Sequence, residues 1–169
     1  MDKGKELPQR KSTRLHKFDY NTPGAYFLTI CTENRRRILS DIVGDDVLGV
    51  PKSVELLPYG KIADKHISEL SEFYANIKVD KYVIMPNHIH IILRVLGDGS
   101  PRTSTPTRQT SSISHFVSTF KRFCNKEYGR NIWQRGFYDH VIRNYDDYVN
   151  IKKYILQNPT NWYYDELYS

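Results

Sequence analysis

Lys81-Tyr82-Val83-Ile84-Met85-Pro86-Asn87-His88-Ile89-His90-Ile91-Ile92-Leu93-Arg94-Val95 is the most apolar and β-branched run of an otherwise polar chain, with two histidines at its middle. Branched side chains pack well on a pleated, half-buried surface, so the run reads as buried strand. Pro86-Asn87 breaks the ladder and marks a bulge or turn. Successive strand side chains alternate faces, which puts His88 and His90 on one face, about 7 Å apart along the backbone. Ile89, Ile91 and Leu93 then point the other way, into a core. Two imidazoles on one rigid strand face are well placed to share a divalent metal. The pair alone equally describes two hydrogen-bonded histidines, because two ligands do not define a metal site.

Upstream of this run, Ile77–Ile84 reads as a strand leading into it, and Tyr59 to about Tyr74 carries Ile62, Ala63, Ile67, Leu70 and Phe73 at helical spacing. Residues 40–57 look irregular, with room for a short hairpin. Ala25–Thr32 follows the turn signal Asn21-Thr22-Pro23-Gly24 as a further strand. Downstream, residues 97–112 are Ser/Thr/Pro-rich and read as a flexible loop. Ser114 is placed to cap a helix running to about Tyr128, with Phe116, Val117, Phe120 and Phe123 buried and Gly129 as its stop. Ile132–Arg143 reads as a strand kinked at Gly136. A last helix begins near Asp146 and ends before Pro159. The order strand–helix–strand–strand–helix–strand plus a terminal helix implies an α+β fold with a central antiparallel sheet.

The chain has 169 residues, a formal net charge of +6 and 13 tyrosines. That length suits one domain with a real core, here residues 20–169, preceded by a basic, flexible arm over 1–19. The excess positive charge with many aromatic rings fits a nucleic-acid partner better than a membrane surface. No apolar run approaches the ~20 residues that span a bilayer, and Cys31 and Cys124 match no zinc or redox spacing. A soluble, cytoplasmic protein with reduced thiols is expected, as a monomer or homodimer.

A metal site needs a third ligand, and a reaction needs a reacting group. On the last helix Tyr154 and Asn158 are four apart and share a face. Tyr154 is the one tyrosine of the chain with a possible metal ligand four residues on. With 13 tyrosines, that coincidence carries little weight by itself.

Taken together, Met-Pro-Asn-His-Ile-His (85–90), the basic helix, Trp-Gln-Arg-Gly-Phe-Tyr-Asp-His-Val-Ile-Arg (133–143) and Tyr-Ile-Leu-Gln-Asn-Pro (154–159) resemble the single-tyrosine HUH transposases, closest to the REP-associated branch. The resemblance runs from about Arg14 to Trp162. It implies a ferredoxin-like HUH fold with the tyrosine helix laid against the histidine strand. It also implies a site in which His88, His90 and Asn158 hold Mg²⁺ or Mn²⁺ while Tyr154 attacks a phosphate of single-stranded, hairpin-associated DNA. The products would be a 5′-phosphotyrosine link and a free 3′-OH, which a second end can reverse as strand transfer. A phenol with its usual pKa near ~10 is a weak nucleophile at neutral pH, which is why the metal is needed. Gln157 is adjacent to Asn158 but points about 100° away on an ideal helix, so it ranks second as ligand. Thr160-Asn161-Trp162 stands where many relatives have Val and a nearby Gly, a departure that touches recognition rather than chemistry.

DNA contacts are expected from Arg14 in the arm, Arg35 and Arg36 after the first strand, and Lys121 and Arg122 on the basic helix. Trp133, Gln134, Arg135, His140 and Arg143 of the 133–143 motif complete the set, although a tryptophan such as Trp133 is more often core. Two rival functions use the same residues: a non-catalytic nucleic-acid-binding module, and a metal-dependent nuclease that uses water and leaves no protein–DNA adduct.

Overall fold

A computed structural model describes residues 20–45, 50–97 and 111–168. The expected basic arm, Arg14 within it, and most of the 97–112 loop lie outside the described residues.

The first strand, β1 (Gly24–Cys31), is followed by a 3-10 turn at Glu33–Arg35 and by a separate two-stranded hairpin, β2 (Ser40–Asp45) with β3 (Val50–Leu56). Then come α1 (Pro58–Phe73), β4 (Ile77–Ile84), β5 (His88–Val95), α2 (Ser112–Tyr128), β6 (Tyr138–Ile142) and α3 (Tyr145–Gln157). The main sheet has the order β4-β5-β1-β6, antiparallel throughout. Setting the β2–β3 hairpin aside, this is the βαββαβ arrangement of a ferredoxin-like fold, with the first and third strands central. The expected α+β class is met.

One sheet face carries Tyr26, Leu28, Ile30, Ile89, Ile91 and Leu93, all buried with Ile67 and Leu70 of α1 and Phe116, Val117 and Phe120 of α2. This core sets the register. A slip of one residue would turn every one of those side chains outward and bring the histidines into the apolar layer. The opposite face carries Cys31 paired with His88 and Thr29 paired with His90, and α3 packs over it. That cover is why β5 is buried on both faces, and why the histidine strand has almost no polar alternation to read.

Pro86-Asn87 is the expected turn. Met85-Pro86-Asn87 joins β4 to β5, closed by the Met85 N–H donating to the His88 carbonyl at 2.8 Å. The expected strand over 132–143 shortens to Tyr138–Ile142. Trp133 pairs with Thr32 as an isolated antiparallel bridge, and in the segment between it and β6 the Lys121 ammonium donates to the carbonyls of Gln134 and Gly136, both at 2.7 Å. Helix α2 begins earlier than its expected cap: Ser111 accepts from the Ser114 N–H, and Gly129 ends it at φ 71°. The last helix begins at Tyr145, one residue from the expected Asp146, and Asn144 before it accepts from the Asp147 N–H. Phe73 and Phe123, expected inside, are exposed.

Gly60, on the first turn of α1, runs against the backbone of Leu39: a Cβ there would overlap the Leu39 carbonyl. Backbone cannot swing away as a side chain can. Gly60→Ala is therefore expected to destabilise the fold by about 1–3 kcal/mol, seen as a lower melting midpoint. An unchanged midpoint would contradict this packing.

Candidate active site

The site forms where β5, α3 and the chain beyond α3 converge. His88 and His90 are buried, with their Nε2 atoms 3.0 Å apart. The Tyr154 hydroxyl lies 3.2 Å from His90 Nε2 and 3.3 Å from Asp165 Oδ2. Asn158, 2% exposed, donates through Nδ2 to Asp165 Oδ2 at 2.8 Å. The His pair, Tyr154 and Asn158 expected from sequence are thus brought together, and Asp165 joins them. Gln157 is exposed on the neighbouring face of α3.

The outer contacts fix the ring states. Asn87 donates through Nδ2 to the Leu167 carbonyl at 2.8 Å, which leaves its Oδ1 facing His88 Nδ1, also at 2.8 Å. An amide oxygen only accepts, so His88 carries its proton on Nδ1 and presents a lone pair at Nε2. Thr29 Oγ1 lies 2.9 Å from His90 Nδ1 and, being both donor and acceptor, supports either tautomer there. Phe27 stacks on the His90 ring and meets Tyr154 edge-on, closing the apolar side.

Burial, aided by the Arg35 guanidinium, pushes the His88 pKa down to about 3. Burial, then His88, hold His90 well below the ordinary histidine value. Both rings are therefore neutral at physiological pH, the state a metal ligand requires. The Tyr154 phenol is pushed up to about 12, first by burial and then by the Asp165 carboxylate, so it rests protonated.

Does this donor set fit a divalent ion? Asn158 Oδ1 is buried and has no hydrogen-bond partner. An orphaned buried carbonyl oxygen costs about 1–3 kcal/mol, and a cation would satisfy it. The two imidazole Nε2 atoms, 3.0 Å apart, are both turned into the same site. The ligand atoms of His88, His90 and Asp165 lie within 4.8 Å of one another. Mixed imidazole, carbonyl and carboxylate donors suit a borderline-to-hard cation. The residues fit.

The buried histidines have a consequence for the metal-free protein. The folded state keeps both rings neutral, whereas the unfolded chain protonates them below about 6.5. Below that pH the unfolded state holds more protons, so stability falls with pH, down to about 3 for His88. Each histidine contributes about 1.4 kcal/mol per pH unit. Urea melts in chelator between pH 7 and pH 4 are expected to show this decline, with His90→Gln flattening it by about one proton; an equally steep decline in that variant would contradict the assignment.

The expected DNA contacts are less uniform. Arg35 lies near the histidine pair, donates to the Glu166 carbonyl at 3.3 Å and has φ 51°, next to Asn34 at φ 55°. Two successive non-glycine residues in the left-handed region cost about 1–2 kcal/mol each, a strain common at functional loops. Arg36 is half-buried, with its Nε sequestered, while Arg122 and Arg135 are exposed. Lys121 is turned inward onto two carbonyls, and burial lowers its pKa to about 8. Trp133 is 2% exposed and packs on Phe120 in the core, so it is not presented to stack on a base. Gln134 is half-buried, its N–H donating to the Cys31 carbonyl. His140 sits on the site face but is paired with Asp147 at 2.9 Å. Arg143 is exposed just before α3.

Asp165 is the site residue to which nothing in the sequence points. It follows a 3-10 turn, Trp162–Tyr164, and is carried back to the site by tertiary contacts: Arg37 packs over the Trp162 and Tyr168 rings, and Asn87 holds the Leu167 carbonyl. No periodicity in the sequence encodes that return.

The family model described as "Transposase IS200 like" matches residues 23–158. A Haemophilus influenzae protein of unassigned function is 29% identical over 177 residues, spanning 96% of this chain and 94% of that protein. A REP-associated tyrosine transposase of Escherichia coli K12 is 32% identical over 82 residues, 48% of this chain and 44% of that protein. Among solved structures, a REP-associated tyrosine transposase bound to a REP hairpin aligns with a TM-score of 0.61 at 21% identity, covering 93% of this chain and 77% of that one. At that identity the likeness is one of fold.

Proposed function

The chain belongs to the IS200-like transposase family, and from that premise we propose that it nicks and rejoins single-stranded, hairpin-associated DNA through a covalent link to Tyr154. The observation that carries this reading is the Tyr154 hydroxyl, 3.2 Å from His90 Nε2 and 3.3 Å from Asp165 Oδ2, beside an orphaned Asn158 Oδ1. A tyrosine half-exposed on one side and set against neutral imidazoles on the other is placed as a nucleophile rather than as packing. The hairpin preference comes from the related protein whose structure carries one.

His88, His90 and Asn158 would hold Mg²⁺ or Mn²⁺, with Asp165 adding negative charge. When bound, the ion polarises the phosphate and stabilises charge in the transition state. Asp165 holds the Asn158 amide through its Nδ2, which leaves Oδ1 unengaged. Its Oδ2, 3.3 Å from the Tyr154 hydroxyl, is also an acceptor toward which the phenolic proton would leave. Tyr154 Oη forms a bond to phosphorus, the bond from phosphorus to the 3′ oxygen breaks, and that oxygen takes up a proton. The link conserves a phosphodiester, so a 3′-OH can attack it and return the tyrosine.

The test is to incubate the chain with labelled hairpin oligonucleotides from its own genomic flanks, with Mn²⁺, Mg²⁺ or chelator, and to run a denaturing gel. A metal-dependent shifted band that survives denaturation is expected. Cleavage with no adduct would instead establish a water-using nuclease.

A further inference from the structure

At the far end of the same sheet face the ends of β1, β5 and β6 and the start of α3 enclose an open cavity of ≈ 400 Å³ that no step above uses. Its polar lining is Arg94, Arg143 and Asn144, and its aromatic lining is Tyr145 and Tyr148. We infer that this cavity takes one unpaired base of the DNA strand that runs to Tyr154, the base held against Tyr145 and Tyr148 and its phosphate by Arg143. The inference rests on the functional reading above and extends it from the reacting phosphate to the strand beside it.

Four observations support it. Tyr145 is 77% exposed, an unusual state for a large ring that has nothing to cover. The Tyr145 and Tyr148 rings are 6.5 Å apart and 33° from parallel, close to two stacking distances of about 3.4 Å each. The site is open to solvent, so a strand can lie along it without threading. The cations are arranged for an anion bearing an aromatic ring: Arg94 lies over Tyr148 at 5.6 Å and Lys152 at 5.5 Å, and Arg143 is exposed at the rim. Arg94 also pairs with Asp80 at 3.2 Å, which anchors it against the ring. The acidic side chains at this end are engaged elsewhere in part, Asp147 with His140.

Distance then fixes the register. From Tyr145 to Tyr154 is nine helical residues, about 13 Å, and from Arg94 to His90 is four strand residues, again about 13 Å. A stacked strand advances about 3.4 Å per nucleotide. The bound base therefore lies within about four nucleotides of the scissile phosphate. Stacking tolerates any base, so the cavity would position the strand without dictating its sequence.

The experiment is fluorescence anisotropy of the full chain with labelled oligothymidylate of twelve nucleotides, chosen because stacking is sequence-tolerant. Tyr145→Ala is expected to weaken binding about 5- to 100-fold, the range for loss of one base–ring stack, whereas Tyr145→Phe retains it. Arg143→Ala is expected to lower the salt dependence by about one released ion. Tyr164→Ala, at a 90% exposed ring elsewhere, is the control and should bind as wild type. If Tyr145→Ala binds as wild type while the wild-type chain still forms its Tyr154 adduct, the cavity is overturned and the functional reading stands. If the wild-type chain binds no oligothymidylate yet forms its Tyr154 adduct with hairpin DNA, the cavity is again overturned and the functional reading stands; if it forms no adduct either, the functional reading falls as well.

Discussion

Tyr154→Phe is expected to bind hairpin DNA within about 2-fold of wild type and to lose cleavage by at least about 10⁴-fold, the scale seen when a covalent nucleophile is deleted. The substitution removes one oxygen and leaves the ring, so the edge-on contact with Phe27 and the packing on His90 survive. Its hydroxyl hydrogen bonds are to His90 and Asp165. Their loss leaves Asp165 still bonded by Asn158 and by the Leu167 N–H, so the fold should persist. Parallel anisotropy and cleavage assays check both halves. Residual cleavage within about 10-fold of wild type would mean that water, or another residue, attacks phosphorus.

The second large effect belongs to the histidines. His90→Ala should remove cleavage to the same floor as the Tyr154 variant, and should abolish the rise in melting temperature expected of wild type with Mn²⁺. Stabilisation by a ligand follows its affinity for the folded state, so losing an ion's ligand loses the shift. One step out, Thr29→Val removes the hydroxyl at 2.9 Å from His90 Nδ1. Outer partners of metal-bound histidines are worth about 10–100-fold in affinity, so this variant should need correspondingly more Mn²⁺ for the same activity. Full activity of Thr29→Val at low Mn²⁺ would show that the hydroxyl does not orient the ring.

The site residues are singled out in the amino-acid sequence by the resemblance of the 85–90 and 154–159 motifs to the HUH transposases, and spacing adds only which side chains share a face. His88 and His90 share a face because a strand alternates, and Tyr154 and Asn158 share one because a helix turns in 3.6 residues. Geometry that depends on chain reversal is not legible there. Asp165 lies seven residues beyond Asn158 and arrives only because Arg37, Trp162, Tyr168 and Asn87 fold the segment back. Trp133 and Lys121 show the opposite failure. Both belong to segments rich in polar and basic residues, yet one fills the core beside Phe120 and the other caps backbone carbonyls. Residue type gives chemical capacity, and burial decides whether it faces DNA or the fold. Among the strands, β4 and β5 match their apolar runs, whereas of the expected 132–143 strand only Tyr138–Ile142 forms β6; Trp133 still bridges Thr32, and the Gln134 and Gly136 carbonyls between them accept from Lys121.

Central to the proposed function is one oxygen, on Tyr154, as the atom joined to DNA. Mass spectrometry tests this most directly: the adduct formed with Mn²⁺ is trimmed with nuclease, digested with protease, and its peptides sequenced. The expected result is a nucleotide phosphate on the peptide that contains Tyr154, attached at that tyrosine and missing from the Tyr154→Phe protein. The same mass on Tyr148, Tyr163 or Tyr164, or a cleaved oligonucleotide with every tyrosine unmodified, would contradict it.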